Sequence, residues 1–157
     1  MKFKPVAFII NIAITLGIGA LGGWATAQSV RTWYPTLHKP SFNPPNWLFA
    51  PVWTTLYILI GIAAYLVWIR RDKIVHFPRT VAIYLIQLIL NLAWSFIFFY
   101  LNEVGFALAE IILLLVVIVI NALTFYKINK WAGLLFIPYI TWVSFAIFLN
   151  YNIFILN

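Results

Sequence analysis

The sequence has no cysteine and little charge, and each lack excludes a class of protein. Without cysteine, the chain has neither a disulfide framework nor a thiolate metal site. Charged residues make up 8% of its 157 residues, whereas soluble domains contain about 25%. Its few acids and histidines are His38, Asp72, His76, Glu103 and Glu110. No paired carboxylates, metal-ligand cluster, phosphate-binding loop or nucleophile elbow occurs, so hydrolytic, phosphoryl-transfer and metal catalysis are not expected.

The sequence is instead rich in apolar residues, arranged in long unbroken runs. Hydrophobic residues account for 65% of the chain, above the roughly 45 to 50% of soluble domains. In lipid, only helices and closed barrels satisfy their own backbone hydrogen bonds, and these runs are continuous rather than alternating. The sequence therefore predicts transmembrane helices surrounded by a lipid bilayer.

Five runs reach the roughly 20 residues that a helix needs to cross the hydrocarbon core. They predict an all-α integral membrane protein, a five-transmembrane-helix bundle in one domain, with helices over residues 5–27, 46–69, 79–101, 104–126 and 130–153. Short connections make neighbouring helices antiparallel, and only the first loop, residues 28–45, is long. Pro51 and Pro138 lie inside predicted spans, where we expect each to kink its helix or free a carbonyl group.

The net charge of +7 indicates membrane orientation rather than nucleic-acid binding. The basic residues are scattered near the ends of apolar runs instead of forming one face. Arg31 and Lys39 lie on the side of the first loop, and eight basic residues lie on the side of the N terminus, namely Lys2, Lys4, Arg70, Arg71, Lys73, Arg79, Lys127 and Lys130. The positive-inside rule then predicts a cytoplasmic N terminus, with the first loop and the C terminus outside.

The first helix has an alternative interpretation. Lys2, Lys4, the apolar run and the segment 25–27 resemble a signal peptide with its cleavage motif. The run is, however, long enough to span a membrane, and Gly19 and Gly23 have the spacing of a helix-packing motif. We expect this segment to be retained as a helix.

Aromatic residues make up 19% of the chain, and its tryptophans form two groups. Four lie near predicted helix ends and are expected in the interfacial belt, at Trp24, Trp33, Trp68 and Trp131. Trp53, Trp94 and Trp142 lie well inside spans, where an indole N–H needs a partner or a polar cavity. The second group is therefore the candidate for function.

Each tryptophan of the second group belongs to an aromatic and polar stripe along one helix face. The stripes comprise Trp53 and Tyr57 on the second helix, Gln87, Asn91, Trp94 and Phe98 on the third, and Tyr139, Trp142, Ala146 and Leu149 on the fifth. They fit either the hydrogen-bonded core of a bundle or the walls of a cavity for a large, planar, mostly apolar ligand. Spacing leaves both interpretations open.

The first loop is rich in proline and aromatic residues, which favours a defined lid over a flexible tether. Its candidate lid residues are Trp33, Tyr34, Lys39, Pro44, Pro45 and Trp47. Arg31 and Lys39 fit two roles equally, contact with ligand carboxylates or contact with lipid headgroups. Glu110, about two turns into the fourth helix, is either a functional intramembrane charge or a side chain that reaches the interface.

Three separate blocks of the sequence resemble one known family. They are LHKPSFNPPNW and APVWTTLY within residues 37–57, QLILNLAWSFIFF at residues 87–99, and PYITWVSFAIFLNY at residues 138–151. In these blocks, in length and in helix number, the chain resembles the TspO/MBR family of translocator proteins and tryptophan-rich sensory proteins. It looks like a bacterial member. The resemblance implies a five-helix bundle, a homodimer, in a bacterial cell membrane.

The resemblance also implies a ligand and its site. Family members bind porphyrins, and in many cases isoquinoline and benzodiazepine-type drugs, under the first loop, with no obligatory cofactor and no metal. The implied ligand-binding residues are Trp53, Tyr57, Asn91, Trp94, Phe106, Leu113, Trp142, Ala146 and Leu149. Two departures from animal members occur: Phe106 replaces a tryptophan, and the cholesterol-recognition pattern at Leu149 and Tyr151 lacks its basic residue. Cholesterol transport is therefore not expected.

Three functions fit this resemblance. The first is a porphyrin sensor, carrier or regulator. The second is a light- and oxygen-dependent porphyrin-degrading enzyme, with Trp53 and Trp142 as its candidate catalytic residues; it needs no acid, base or metal from the protein. The third is a non-catalytic regulator that recruits membrane partners through small-residue faces such as Gly19 and Gly23.

Overall fold

The computed structural model describes residues 2–157, which are all-helical, with no strand among them. Five segments of this described part are long and apolar enough to span a membrane, as predicted. The helices are α1 (Pro5–Ala27), α2 (Asn46–Trp68), α3 (Phe77–Ser95, extended by a π-helical turn over Phe96–Tyr100), α4 (Val104–Ile128), α5 (Lys130–Leu134) and α6 (Ile137–Leu156). The chain is an integral membrane protein in which α5 and α6 together form the last span.

Helices α2, α3, α4 and α6 enclose the core of the bundle. Its most deeply buried apolar side chains include Ile60, Ile111, Ile118, Phe136 and Val143. Helix α1 is peripheral, since it buries only Thr15, Gly22 and Ala25 and packs mainly on α2. Because lipid is as apolar as a core, close packing of small residues and buried hydrogen bonds holds such a bundle together.

The N-terminal half of α1 lies directly against the C-terminal half of α2. A Cβ placed on Gly61 would lie 2.8 Å from the Cα of Ile12, so glycine alone fits there. The Thr15 hydroxyl donates to the backbone oxygen of Tyr57 at 2.6 Å. The Lys4 backbone N–H donates to the Tyr65 hydroxyl at 2.9 Å. These contacts fix one end of the α1–α2 pair.

The last span differs from its prediction. It consists of α5 and α6 rather than one helix, and residues Leu135 and Phe136 separate them. Pro138 lies in the first turn of α6, where its missing N–H leaves no backbone bond unmade, so it begins a helix instead of kinking one. Pro51, in contrast, lies inside α2 and offers no N–H to the carbonyl group of Trp47.

The third span also ends differently from its prediction. Its last five residues, Phe96–Tyr100, form a π-helical turn, and the chain then reverses through Asn102. Asn102 has a φ of 58°, in the left-handed region that asparagine tolerates better than most residues. The turn places Phe98 inward, where it is buried beside Tyr34 of the first loop.

The basic residues predicted on the N-terminal side gather at one end of the bundle. There the Arg71 guanidinium lies 3.7 Å from the centre of the Trp68 ring, and the Lys4 ammonium lies 5.6 Å from it. Arg70 donates to the backbone oxygen of Ile128, at the end of α4. The opposite end, where residues 28–45 join α1 to α2, is called the lid end below.

Candidate functional site

A cavity of about 710 Å³ lies at the lid end, in the size range of ligand pockets. Its floor is Tyr57, whose ring faces Gly19 of α1; a Cβ on Gly19 would lie 2.6 Å from that ring. The cavity extends from this floor toward the lid, between the C-terminal part of α1 and the N-terminal part of α2. Helices α3 and α6 complete its inner wall.

The three intramembrane tryptophans line this cavity, one from each of three helices. Trp53 is stacked on Tyr57, with ring centres 5.7 Å apart and an interplanar angle of 27°. Trp142 lies edge-on to Phe49 at 6.0 Å. Trp94 is stacked on Phe98 at 5.2 Å. The walls are therefore aromatic faces and edges, which suit a planar apolar ligand.

The indole N–H groups differ in what they bind. Trp94 Nε1 donates to Asn150 Oδ1 at 3.0 Å, and Asn150 in turn donates to the backbone oxygen of Val104. Trp142 Nε1 is buried and finds no acceptor among residues 2–157. A buried donor without a partner costs about 1 to 3 kcal/mol, so an acceptor on a ligand at this position would be stabilised.

A chain of hydrogen bonds leads from the cavity floor into the bundle. The Tyr57 hydroxyl donates to Asn91 Oδ1 at 2.7 Å, and Asn91 Nδ2 donates to the Tyr139 hydroxyl at 2.7 Å. The Tyr139 hydroxyl donates to Gln87 Oε1 at 2.9 Å. This polar chain joins α2, α3 and α6, and it fixes the ring of Tyr57 beneath the cavity.

The first loop is folded over the cavity and held at several points. Tyr34 is buried against Phe98 and Phe99, and its hydroxyl donates to Asn43 Oδ1 at 3.3 Å. Burial raises the pKa of the Tyr34 phenol. Lys39 Nζ donates to the backbone oxygens of Tyr34 and Leu37 at 2.9 and 3.1 Å. The loop is thus a structured lid.

Charge near the cavity is sparse and positive. Arg31 lines the mouth of the cavity and is exposed. No acidic residue among residues 2–157 lines the cavity, and Glu110 of α4 lies outside the cavity. Residues 2–157 contain no group of three His, Asp or Glu side chains that suits a metal ion. The surroundings therefore favour a ligand that is neutral or anionic at one edge.

Most of the predicted site residues come together here. The cavity is lined by Tyr34, Trp47, Trp53, Tyr57, Trp94, Trp142, Ala146 and Leu149. Asn91 lies beneath it, bonded to Tyr57. Trp33, Lys39, Pro44 and Pro45 belong to the lid but do not line the cavity.

Two predicted ligand-binding residues of α4 lie elsewhere. Phe106 and Leu113 are 72% and 52% exposed on the outer surface and do not line the cavity. They are seven residues apart and share one helix face, while Ala107, Ile111 and Leu114 occupy the face turned to the bundle. Their assignment to the cavity is corrected accordingly.

The contribution of α1 was missed by the sequence prediction. Gly19, Gly22, Gly23 and Thr26 all line the cavity. Gly19 and Gly23 were expected to serve helix packing, and Gly19 does pack, against the ring of Tyr57. The small size of these residues was the available signal, because small side chains facing an aromatic stripe leave room for a ligand.

Comparison with known proteins agrees with this architecture. The family model described as TspO/MBR family matches residues 11–156. A tryptophan-rich protein TspO of Archaeoglobus fulgidus is 42% identical over 149 residues, covering 95% of each chain. One of Chlorobaculum tepidum is 42% identical over 161 residues, covering 100% of this chain and 99% of its own. The translocator protein of Homo sapiens is 36% identical over 142 residues, covering 90% of this chain and 83% of its own. The chain therefore belongs to the TspO/MBR family, whose model matches nearly its whole length.

Proposed function

We propose that the cavity binds a porphyrin or similar tetrapyrrole and that the protein is a sensor, carrier or regulator of porphyrin. The observation that supports this most directly is the set of three tryptophans, Trp53, Trp94 and Trp142, around a cavity of about 710 Å³. Aromatic rings gain from offset-stacked and edge-on contact with a flat conjugated ring. Isoquinoline and benzodiazepine-type drugs, which are also flat and mostly apolar, are the second ligand class of this proposal.

The polar groups of the cavity suit such a ligand. The Trp142 N–H is a buried donor without an acceptor among the described residues. Arg31 at the mouth can pair with a carboxylate at the edge of a porphyrin, while the ring itself stays among aromatic side chains. Lys39 already bonds two lid carbonyl oxygens, so Arg31 is the better candidate for this contact.

The names of relatives support transport or sensing in general terms. The relative from Homo sapiens is called a translocator protein, and one from Cereibacter sphaeroides, 34% identical over 143 residues, is called a tryptophan-rich sensory protein. Under the same proposal, the N terminus is cytoplasmic, the lid is outside, the membrane is that of a bacterial cell, and two copies form a homodimer.

The enzymatic alternative uses the same cavity. Light absorbed by a bound porphyrin and molecular oxygen as the oxidant would degrade the porphyrin, with Trp53 and Trp142 as the residues in contact with it. The partner-recruiting alternative is less supported at Gly19, which faces the ring of Tyr57, whereas Gly23 is exposed and available to a partner.

A titration with protoporphyrin, in the dark and under light, separates these functions. Purified wild type, Trp53→Phe and Trp142→Phe are compared with Trp131→Phe, a matched control because Trp131 is exposed at the opposite end. We expect saturable binding in the dark, weakened in the two cavity variants by roughly five- to tenfold, as for the loss of about 1 to 1.4 kcal/mol of contact. The control should bind like wild type.

The outcomes are distinct. Saturable dark binding with an unchanged spectrum under light supports the sensor or carrier. Light-dependent bleaching to a defined new chromophore, lost in Trp53→Phe and Trp142→Phe but kept in Trp131→Phe, supports the enzyme instead. If wild type shows no saturable binding, both are wrong and partner recruitment remains.

A further inference from the structure

Several contacts hold the lid to the ends of α3 and α6. The Ser29 hydroxyl donates to the backbone oxygen of Phe99 at 2.5 Å. Asn157 bonds both the backbone N–H and the backbone oxygen of His38, at 3.0 and 2.8 Å. Phe42 is stacked on Phe148 at 5.1 Å. A ligand entering from this side would have to break several contacts between the loop and two different helices.

The walls between α2, α6 and α3 are closed. Trp142 of α6 lies between the cavity and a separate groove on α2 and α6, and its ring contacts Phe49 of α2 edge-on at 6.0 Å. Between α3 and α6, the Trp94 indole is hydrogen-bonded to Asn150. Bulky rings in mutual contact therefore block these two routes.

The boundary between α1 and α2 is different. The two helices are in tight contact up to Gly19, which meets the Tyr57 ring. Beyond that point residues of both helices that line the cavity are also exposed, at Ala20, Gly23 and Ala27 of α1 and at Asn46, Trp47, Ala50 and Thr54 of α2. Exposed lining residues on two neighbouring helices, with no tight contact between them there, indicate an opening between α1 and α2.

This opening faces lipid rather than water. Both of its edges lie in membrane-spanning helices. Apart from Asn46, Trp47 and Thr54, its edges are glycine and alanine, and a Cβ on Gly23 would meet no atom of the described chain within 4 Å. Small apolar edges give a flat ligand room to pass and little to bind on the way. Arg31 of the lid also lines the cavity and is exposed, so it is available to pair with a carboxylate of the ligand.

We infer that ligand reaches the cavity sideways from the bilayer, through a portal between α1 and α2 edged by Ala20, Gly23, Ala50 and Thr54, while the lid stays closed. This inference rests on the proposed function and adds its route: the ligand is an apolar, lipid-dissolved molecule that enters from the leaflet on the lid side. The cavity is therefore in exchange with the membrane and not directly with water.

The absence of cysteine from the sequence allows a reversible block of this portal. Single variants Gly23→Cys and Gly17→Cys are modified with benzyl methanethiosulfonate, and a reductant then removes the benzyl group. Gly17 is a matched control on the same helix: it is exposed, it does not line the cavity, and a Cβ there would also meet nothing within 4 Å of the described residues. Protoporphyrin is delivered from vesicles, and quenching of tryptophan fluorescence gives its association and dissociation rates.

We expect modified Gly23→Cys to bind and release protoporphyrin about tenfold more slowly, equivalent to a barrier higher by about 1.4 kcal/mol, with both rates restored by reductant. Modified Gly17→Cys should keep wild-type rates. Asn157→Ala, which releases one contact of the lid, should leave the association rate unchanged.

Other results overturn the portal without touching the proposed function. These are an unchanged association rate in modified Gly23→Cys, equal slowing in modified Gly17→Cys, or faster association in Asn157→Ala, which would indicate passage through the lid. A lack of saturable binding in the unmodified variants and in wild type would instead remove the proposed function, and the portal with it.

Discussion

At the scale of single residues, the cavity depends on where buried hydroxyl and amide groups find partners. Tyr139 is fully buried and makes two hydrogen bonds, one accepted from Asn91 and one donated to Gln87. Tyr57 makes one, to Asn91. Tyr84 is similarly buried, but its hydroxyl has no partner within residues 2–157. Three tyrosines of one bundle thus differ mainly in how many bonds each hydroxyl forms.

Removing the hydroxyl of Tyr139 or of Tyr57 should therefore destabilise the protein, and the loss should be larger for Tyr139. We expect Tyr139→Phe to lower the free energy of unfolding most, because it leaves polar groups of Asn91 and Gln87 without partners, at about 1 to 3 kcal/mol. Tyr57→Phe should cost about 0.6 kcal/mol, the average for a hydrogen bond in a membrane bundle. Thermal denaturation in detergent measures both.

Tyr84→Phe is the control for this series. Its hydroxyl is buried without a partner among the described residues, so its removal should leave the melting temperature unchanged or raise it. A larger loss for Tyr84→Phe than for Tyr139→Phe would show that the hydrogen-bonded chain does not hold the cavity floor.

The sequence predicts which residues belong to this site better than it predicts their partners. Trp53, Trp94 and Trp142 could be selected because an indole N–H inside a span needs an explanation. The hydrogen bond from Asn91 to Tyr139 could not be predicted, because positions along one helix do not determine which residue of another helix lies opposite. Phe106 was misplaced for the same reason: when a helix is apolar all round, its pattern does not indicate the face that packs inward.

At the scale of helices, glycines of similar appearance have different roles. Gly61 of α2 lies against the backbone of Ile12, where a Cβ would come within 2.8 Å of its Cα. Gly17 of α1 has no neighbour within 4 Å of a Cβ in the described structure. The contact at Gly61 joins α1 to α2 below the cavity, so the opening above it depends on this contact.

Gly61→Ala should separate these helices, whereas Gly17→Ala should not. We expect Gly61→Ala to reduce stability by about 1 to 3 kcal/mol, since a backbone contact cannot relax by a rotamer change. Gly17→Ala should be neutral or stabilising by up to about 1 kcal/mol, because alanine favours the helix. Melting temperatures in detergent test both, and equal values for the two variants would contradict the tight α1–α2 contact.

Helix ends were predicted less well than helix centres. The spans at α1 and α4 follow from length and hydropathy, but the π-helical turn over Phe96–Tyr100 and the break between α5 and α6 do not. Both irregular segments are as apolar as a regular helix, so hydropathy cannot distinguish them. Pro138 did indicate an irregularity, and its position in the first turn of α6 explains it as a helix start.

At the scale of the whole molecule, charge and cavity lie at opposite ends. Eight basic residues lie at or near the end opposite the lid, where Arg71 and Lys4 contact Trp68. The cavity and lid have Arg31 and Lys39 only. Since the cytoplasmic side of a membrane protein is enriched in Lys and Arg, we expect the end opposite the lid to be cytoplasmic and the portal to face the outer leaflet.

The orientation leads to a prediction for the chain ends, which an odd number of spans places on opposite sides of the membrane. We expect alkaline phosphatase fused after Asn157 to be active, because that enzyme needs an oxidising extracytoplasmic compartment to form its disulfides. A green fluorescent protein fused there through the general secretory route should stay dark, and the same protein fused before Lys2 should fluoresce. The reverse pattern would place the lid in the cytoplasm, and the α1–α2 portal would then open to the inner leaflet instead of the outer one.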